Sequence, residues 1–192
     1  MASEHKPDGL CKPARAASIQ QACASVSADL SSKFCSAMRN FAGACCVIAT
    51  ADGAEYSGLT ATAVCSVTAD PPRLLVVVNH NVFAHDIIKK SSVLSINVLT
   101  EAQRDLALRF SGQDGSNPNE RFEGGEWDLE PGEAPRLRSC LASFRGNVSH
   151  TITESTHTLF LIDVTDIRKD ETSRAPLIYF DRKFATLTTA KQ

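Results

Sequence analysis

Residues 55–80 read EYSGLTATAVCSVTADPPRLLVVVNH, and the fold turns on how this stretch is taken. Its second half, RLLVVVNH, is a run of Leu and Val that reads as a buried strand. Ahead of it, Gly58 opens a run of Thr, Ala, Cys and Ser, and Asp70, Pro71 and Pro72 close that run. Proline has no backbone N–H to donate to a ladder, so DPP marks a strand end. ATAVCSVTA therefore reads as a strand of its own, too small to build much core and too β-branched for a linker. Thr60, Thr62 and Ser66 alternate with Ala61, Ala63 and Cys65, which would put hydroxyls on one strand face. Two readings stand. This is an edge strand whose threonines serve β propensity, or a surface whose small side chains let a planar ligand reach backbone N–H groups.

Working outward, Leu30, Phe34, Ala37, Met38 and Phe41 recur at helical spacing, with Asp29 or Ser31 as cap and Gly43 as stop. ACCVIATAD follows as a strand, and DGAEYS as a turn into a returning strand. Downstream, FAHDIIKKS reads as a helix, VLSINVLT as a strand and EAQRDLALRFSG as an amphipathic helix. The region from Gln113 to Arg136 holds Gly, Asn, Pro and acids and reads as a long surface loop. SCLASFRGNVSHTITES and HTLFLIDVTDIRKDE form an expected antiparallel pair, and APLIYFDRKFATL ends in a last short strand. Six or more strands with few helices predict a mainly β chain with flanking helices, closed as an antiparallel barrel. Residues 1–30, rich in Ala, Ser, Lys and Pro, read as a mobile arm, leaving 31–192 as the domain.

Composition narrows the function. The chain of 192 residues is 43% hydrophobic and 22% charged, ordinary for a soluble globular protein able to bury its own core. A net charge of −2, with no Lys/Arg cluster longer than a pair, supplies no basic field for nucleic acid. The apolar run Leu74–Val78 is far short of a membrane span, and the first residues lack the apolar segment of a secretory signal. Seven cysteines, an odd number without a CxxC pair, read as reduced thiols of a cytoplasmic protein. No metal site is expected: Cys45 and Cys46 should face opposite sides of a strand, and His80 and His85 fit one helical face poorly. Nor is there a GxGxxG, a P-loop or a GxSxG elbow.

GLTATAVCSVTADPPRLLVVVNHN resembles the signature of the flavin reductase-like domain. The flanks agree. FCSAMRNFAGACCVIATAD is similar to that family's helix and first barrel strand, and SSVLSINVLTEAQRDLALRFSG to its next strand and helix. RFEGGEW, APRLRSCLASFRGNV, THTLFLIDV and APLIYFDRKF match later blocks in order, so the similarity runs from about Phe34 to Leu187. The resemblance implies a six-stranded antiparallel split β-barrel that dimerises, with FMN or FAD at the subunit boundary and NADH or NADPH as hydride donor. It implies further that the reduced flavin passes to a partner monooxygenase. The flavin does the redox chemistry, which accounts for small hydroxyl residues where catalytic carboxylates could have stood.

Carried onto this chain, the resemblance puts Thr60, Ala61 and Thr62 against the flavin ring, and Ser66, Val67 and Thr68 at its pyrimidine edge and ribityl chain. Asn79 and Asn81 fall on the phosphate-side loop, Phe110 and Ser111 on a turn near the cofactor, and Arg121 and Phe122 on a pair that closes the site. His157 falls near the nicotinamide, although Thr156 and Asp163 stand where the family usually has Asp and Gly. Gly146 replaces a common cysteine at a position read as structural, and Tyr179 is read as core rather than cofactor contact. Alternatives from the same fold are a flavin-retaining reductase of a corrinoid or iron chelate, and a non-enzymatic flavin- or haem-binding barrel.

Overall fold

The structure is a computed structural model that describes residues 28–124 and 126–187, so the expected arm lies almost wholly outside the described residues. The chain divides into two units, Met1–Phe41 and Ala42–Gln192. In the first, residues 28–38 form helix α1, as the apolar spacing predicts, with Lys33 paired to Asp29 one turn back at 2.7 Å.

The second unit is built on a seven-stranded antiparallel sheet in the order β3-β2-β6-β9-β10-β5-β4. Its strands are β2 (Cys46–Asp52), β3 (Glu55–Ala61), β4 (Val64–Ala69), β5 (Pro72–Asn79), β6 (Val93–Val98), β9 (Ala142–Glu154) and β10 (His157–Lys169). Helix α2 (Phe83–Ser91) links β5 to β6, and α3 (Arg104–Phe110) follows β6. β1 (Gly43–Ala44) pairs with the hairpin β11 (Leu177–Phe180) and β12 (Lys183–Thr186) in a separate three-stranded sheet. The terminal stretch is thus a hairpin rather than the single strand expected.

The deciding stretch departs from its reading. Residues 55–69 are not continued by one strand: the ladder breaks at Thr62 and Ala63. The first half, β3, pairs with β2, and the second half, β4, pairs with β5, so the two halves form opposite edges of the sheet. At the break Val64 N–H donates to Thr62 O (3.0 Å) and Val77 N–H to Ala63 O (3.1 Å). The main sheet therefore counts seven strands where six were expected, and no ladder closes β3 onto β4 among the described residues.

β2 is buried on both faces and separates two cores. Cys45, Val47 and Ala49 pack with Leu99, Ala107, Phe110, Phe122, Trp127 and Leu137. Cys46 and Ile48 pack with Val76, Val78, Ile88, Ile96, Phe160 and Ile162. The adjacent cysteines do face opposite ways, as the strand period requires. The segment expected as a surface loop contributes heavily to the first core: Phe122 and Trp127 are buried, and β7 (Trp127–Asp128) pairs with β8 (Arg136–Leu137). Gly146 is structural. A Cβ there would overlap the Asp163 carbonyl oxygen on β10 and lie 2.7 Å from Ile162 Cγ2, so the common cysteine could not stand in this backbone.

The middle of the sheet is tied to β8 by one side chain. Asn97, fully buried, donates from Nδ2 to Val47 O (3.1 Å) and Ser95 Oγ (2.9 Å). Its Oδ1 accepts from Leu137 N–H (3.0 Å) and Ser143 Oγ (2.8 Å). Both N–H donors and both oxygen lone pairs of this amide are used, which is what a buried amide needs.

Candidate functional site

Edge strand β3, the end of α3 and the start of α2 enclose a cavity of about 310 Å³ that Arg121 also lines. A second, of about 220 Å³, adjoins it and shares Thr60 and Ser111. Each wall has a local cause. Gly58 lets β3 come close under the Phe110 ring: a Cβ on it would lie 2.8 Å from both Ile48 O and Phe110 Cε1. Thr60 Oγ1 donates to Ala107 O (2.7 Å), pinning the strand to α3, and Ser111 Oγ donates to Leu108 O (2.8 Å) in the last turn of that helix. Gly112, at φ +74°, turns the chain away from α3 in the left-handed region that glycine tolerates.

The opposite wall is the start of α2. Asn79 Oδ1 accepts from Asn81 N–H (2.8 Å), and this short turn delivers the chain to Val82, which has no side-chain group to cap the helix. Asn81, Val82, Phe83 and Ala84 all line the first cavity, so it borders the electropositive, uncapped end of α2.

Arg121 supplies the charge. Its Nη1 makes only a long 3.5 Å bond to Gly58 O, and its Nε is buried without any partner. Among the described residues no carboxylate lines either cavity. A buried guanidinium donor with no acceptor beside an uncapped helix start is a site for an anionic group. In the second cavity, burial pushes the Cys45 thiol up to about 11, so it stays protonated and unreactive at neutral pH.

The expected residues divide. Thr60, Asn81, Phe110, Ser111 and Arg121 line the first cavity; Ala61 and Thr62 join Thr60 and Ser111 at the second. Asn79 acts behind the wall through Asn81. Ser66, Val67 and Thr68 lie on β4 and line neither cavity, because the break at Thr62–Ala63 carries them to the other edge. The hydroxyls of Thr60, Thr62 and Ser66 thus do not share one strand face. His157 starts β10 with Nδ1 2.9 Å from Thr156 Oγ1 and also lines neither cavity.

Phe122 turns away from its neighbour Arg121 into a cluster with Phe110 and Trp127, each at a ring separation of 5.0 Å. It borders a separate, larger cleft of about 660 Å³ walled by Tyr56, Trp127 and Leu129 and flanked by Glu55 and Glu123. Size alone would favour that cleft. Its carboxylates repel an anionic ligand, however, and it has no orphan donor, so the smaller pair is the better site.

The sequence located α2 at Phe83 but did not assign Val82, Phe83 and Ala84 to the site, for which Val82, with no capping side chain before a helical run, was the available signal. It also placed Tyr179 in the core alone; with its ring 5.4 Å from Phe184 it packs on the first core and lines the second cavity as well. Among the described residues no group of three His, Cys, Asp or Glu could hold a metal.

A family model described as the flavin reductase like domain matches residues 38–188. The chain is 37% identical over 151 residues to the FMN reductase (NADH) RutF of Pseudomonas syringae pv. syringae (strain B728a), covering 79% of this chain and 83% of that protein. It is 37% identical over 152 residues to the 4-hydroxyphenylacetate 3-monooxygenase reductase component of Salmonella typhi, covering 79% and 89%. Among solved structures, the flavin reductase PheA2 superposes with a TM-score of 0.73 at 29% identity, over 81% of this chain and 97% of that one. The styrene monooxygenase flavin reductase (SMOB) from Pseudomonas putida S12 shares the fold, with a TM-score of 0.72 at 21% identity over 83% and 99%.

Proposed function

The chain belongs to the flavin reductase-like family, and from that premise we propose that it reduces FMN or FAD with NADH or NADPH at the paired cavities around Thr60. The observation that carries this reading is the buried, partnerless Nε of Arg121 beside the uncapped start of α2. Together they fit the phosphate of a flavin nucleotide, and the small residues along β3 leave room for its flat ring. Bound flavin supplies the hydride acceptor. The chain's own residues bind and orient: Arg121 and the α2 N–H groups hold the phosphate, Thr60, Ala61 and Thr62 border the ring, and Ser111 closes the α3 side. The absence of a carboxylate from both linings keeps negative charge away from a ring that becomes electron-rich on reduction.

The roles expected for Ser66, Val67 and Thr68 at the ring edge, for Phe122 in closing the site and for His157 at the nicotinamide call for contacts outside the two cavities, since none of these residues lines either one. The working unit is a homodimer; the exposed apolar side chains of Val67, Ile152 and Ile167 support burial against a second copy. The acceptor of the reduced flavin is a partner monooxygenase, as the name of the Salmonella relative suggests. A cytoplasmic location is supported by the free thiols of Cys45, Cys46, Cys65 and Cys140. No helix among the described residues is long and apolar enough to cross a membrane.

Steady-state oxidation of NADH and NADPH against FMN, FAD and riboflavin tests the proposal. Flavin-dependent NAD(P)H oxidation is expected, and its absence with all three flavins overturns the reading. Arg121→Gln should raise the KM for FMN about tenfold, the scale of one charge-assisted hydrogen bond, while leaving riboflavin, which has no phosphate, nearly unchanged.

A further inference from the structure

Behind the α2 wall, one buried hydroxyl serves two imidazoles. Thr158, on β10, lies 2.9 Å through Oγ1 from His85 Nε2 and 3.0 Å from His80 Nε2, and the two rings are 4.8 Å apart. His85 is buried, and its other nitrogen, Nδ1, is 2.9 Å from Asp86 Oδ1.

Donor bookkeeping gives this chain a direction. A carboxylate can only accept, so the hydrogen of neutral His85 sits on Nδ1 and its Nε2 is a lone pair. Thr158 must then turn its only hydroxyl hydrogen toward His85. Its oxygen is left to accept, and His80 must carry its hydrogen on Nε2 to reach it. The order runs His80 Nε2–H to Thr158 Oγ1–H to His85 Nε2, and His85 Nδ1–H to Asp86.

His80 and His85 bracket Asn81–Ala84, the segment that walls the first cavity. His80 N–H also donates to Thr156 O (2.9 Å), which ties the same loop to the start of β10. We propose that Thr158 is a positioning residue for the flavin site: its hydroxyl orients both histidines and thereby holds the Asn81–Ala84 wall against the ligand. The proposal rests on the flavin reading of the cavity. The ligand is not touched by Thr158 itself, which acts through His80 and His85.

Two measurements test it. The first needs no flavin: nitrogen-15 NMR of the histidine rings at pH 9, where an ordinary imidazole is neutral. His80 is expected with its hydrogen on Nε2 and His85 with its hydrogen on Nδ1; the opposite tautomer at either ring overturns the directed chain. The second is FMN affinity, read by quenching of flavin fluorescence. Thr158→Val should weaken binding about tenfold, the loss of a buried hydrogen bond, and Thr158→Ser should restore it, with kcat at saturating flavin unchanged. Wild-type affinity in Thr158→Val, or a loss that serine does not rescue, overturns the positioning role. If the valine variant does not fold, His80→Phe cuts the chain at its half-buried end, and unchanged FMN affinity there overturns the proposal equally. Should the wild type itself bind no flavin, the reading of the cavity fails and this positioning role with it, while the tautomers still decide whether the directed chain exists.

Discussion

Asn97→Ala is expected to cost the fold about 3–5 kcal/mol in urea unfolding, with the denaturant slope unchanged. The asparagine side chain has no exposed surface and makes four hydrogen bonds, to Val47, Ser95, Leu137 and Ser143. Alanine removes all four at once. It strands the Leu137 N–H with no water to replace its acceptor, and stranded buried groups cost more than the bonds themselves contribute. Because the amide links β2, β6, β9 and β8, the loss should also loosen the segment that carries Trp127 and Leu137 into the first core. A loss under about 1 kcal/mol would mean that the backbone groups find other partners, and that the amide does not tie these strands together.

Gly58→Ala is expected to raise the dissociation constant for FMN more than about tenfold and to lower stability by about 2–3 kcal/mol. The new methyl would meet two fixed neighbours. One is the backbone carbonyl of Ile48 on the paired strand β2, at 2.8 Å; the other is the Phe110 ring, at 2.8 and 3.0 Å. The ring cannot simply retreat, since it is 1% exposed and wedged against Phe122 and Trp127. The end of α3 must therefore shift, and with it Ser111 and the cavity wall. Normal FMN binding by a stable Gly58→Ala protein would show that Phe110 does not shape the cavity.

Much of this was legible in the residues. Apolar spacing located α2, α3 and the long β9–β10 pair, and the run from Gly58 to His80 carried the family resemblance. What period-2 alternation could not show is where a strand changes partners. Thr60, Thr62 and Ser66 keep one parity along the run, yet β3 and β4 belong to opposite sheet edges, because parity constrains faces and says nothing about neighbours. The small run does leave clearance, but at Gly58 the ring that takes the space is Phe110.

Arg121 and Phe122 diverge in a segment with no regular period, so adjacency in sequence carried no information on direction. Thr158 reads in the chain as one more β-branched residue in a buried strand. Its role depends on His80 and His85, 78 and 73 positions away, which only the folded sheet brings together.

Diffraction from crystals grown with FMN tests the assignment of the site most directly. Isoalloxazine density is expected along Thr60, Ala61 and Thr62, with the phosphate bonded to Arg121 at the start of α2. FMN seated instead in the cleft of Tyr56, Phe122 and Trp127, with Arg121 untouched, would contradict it.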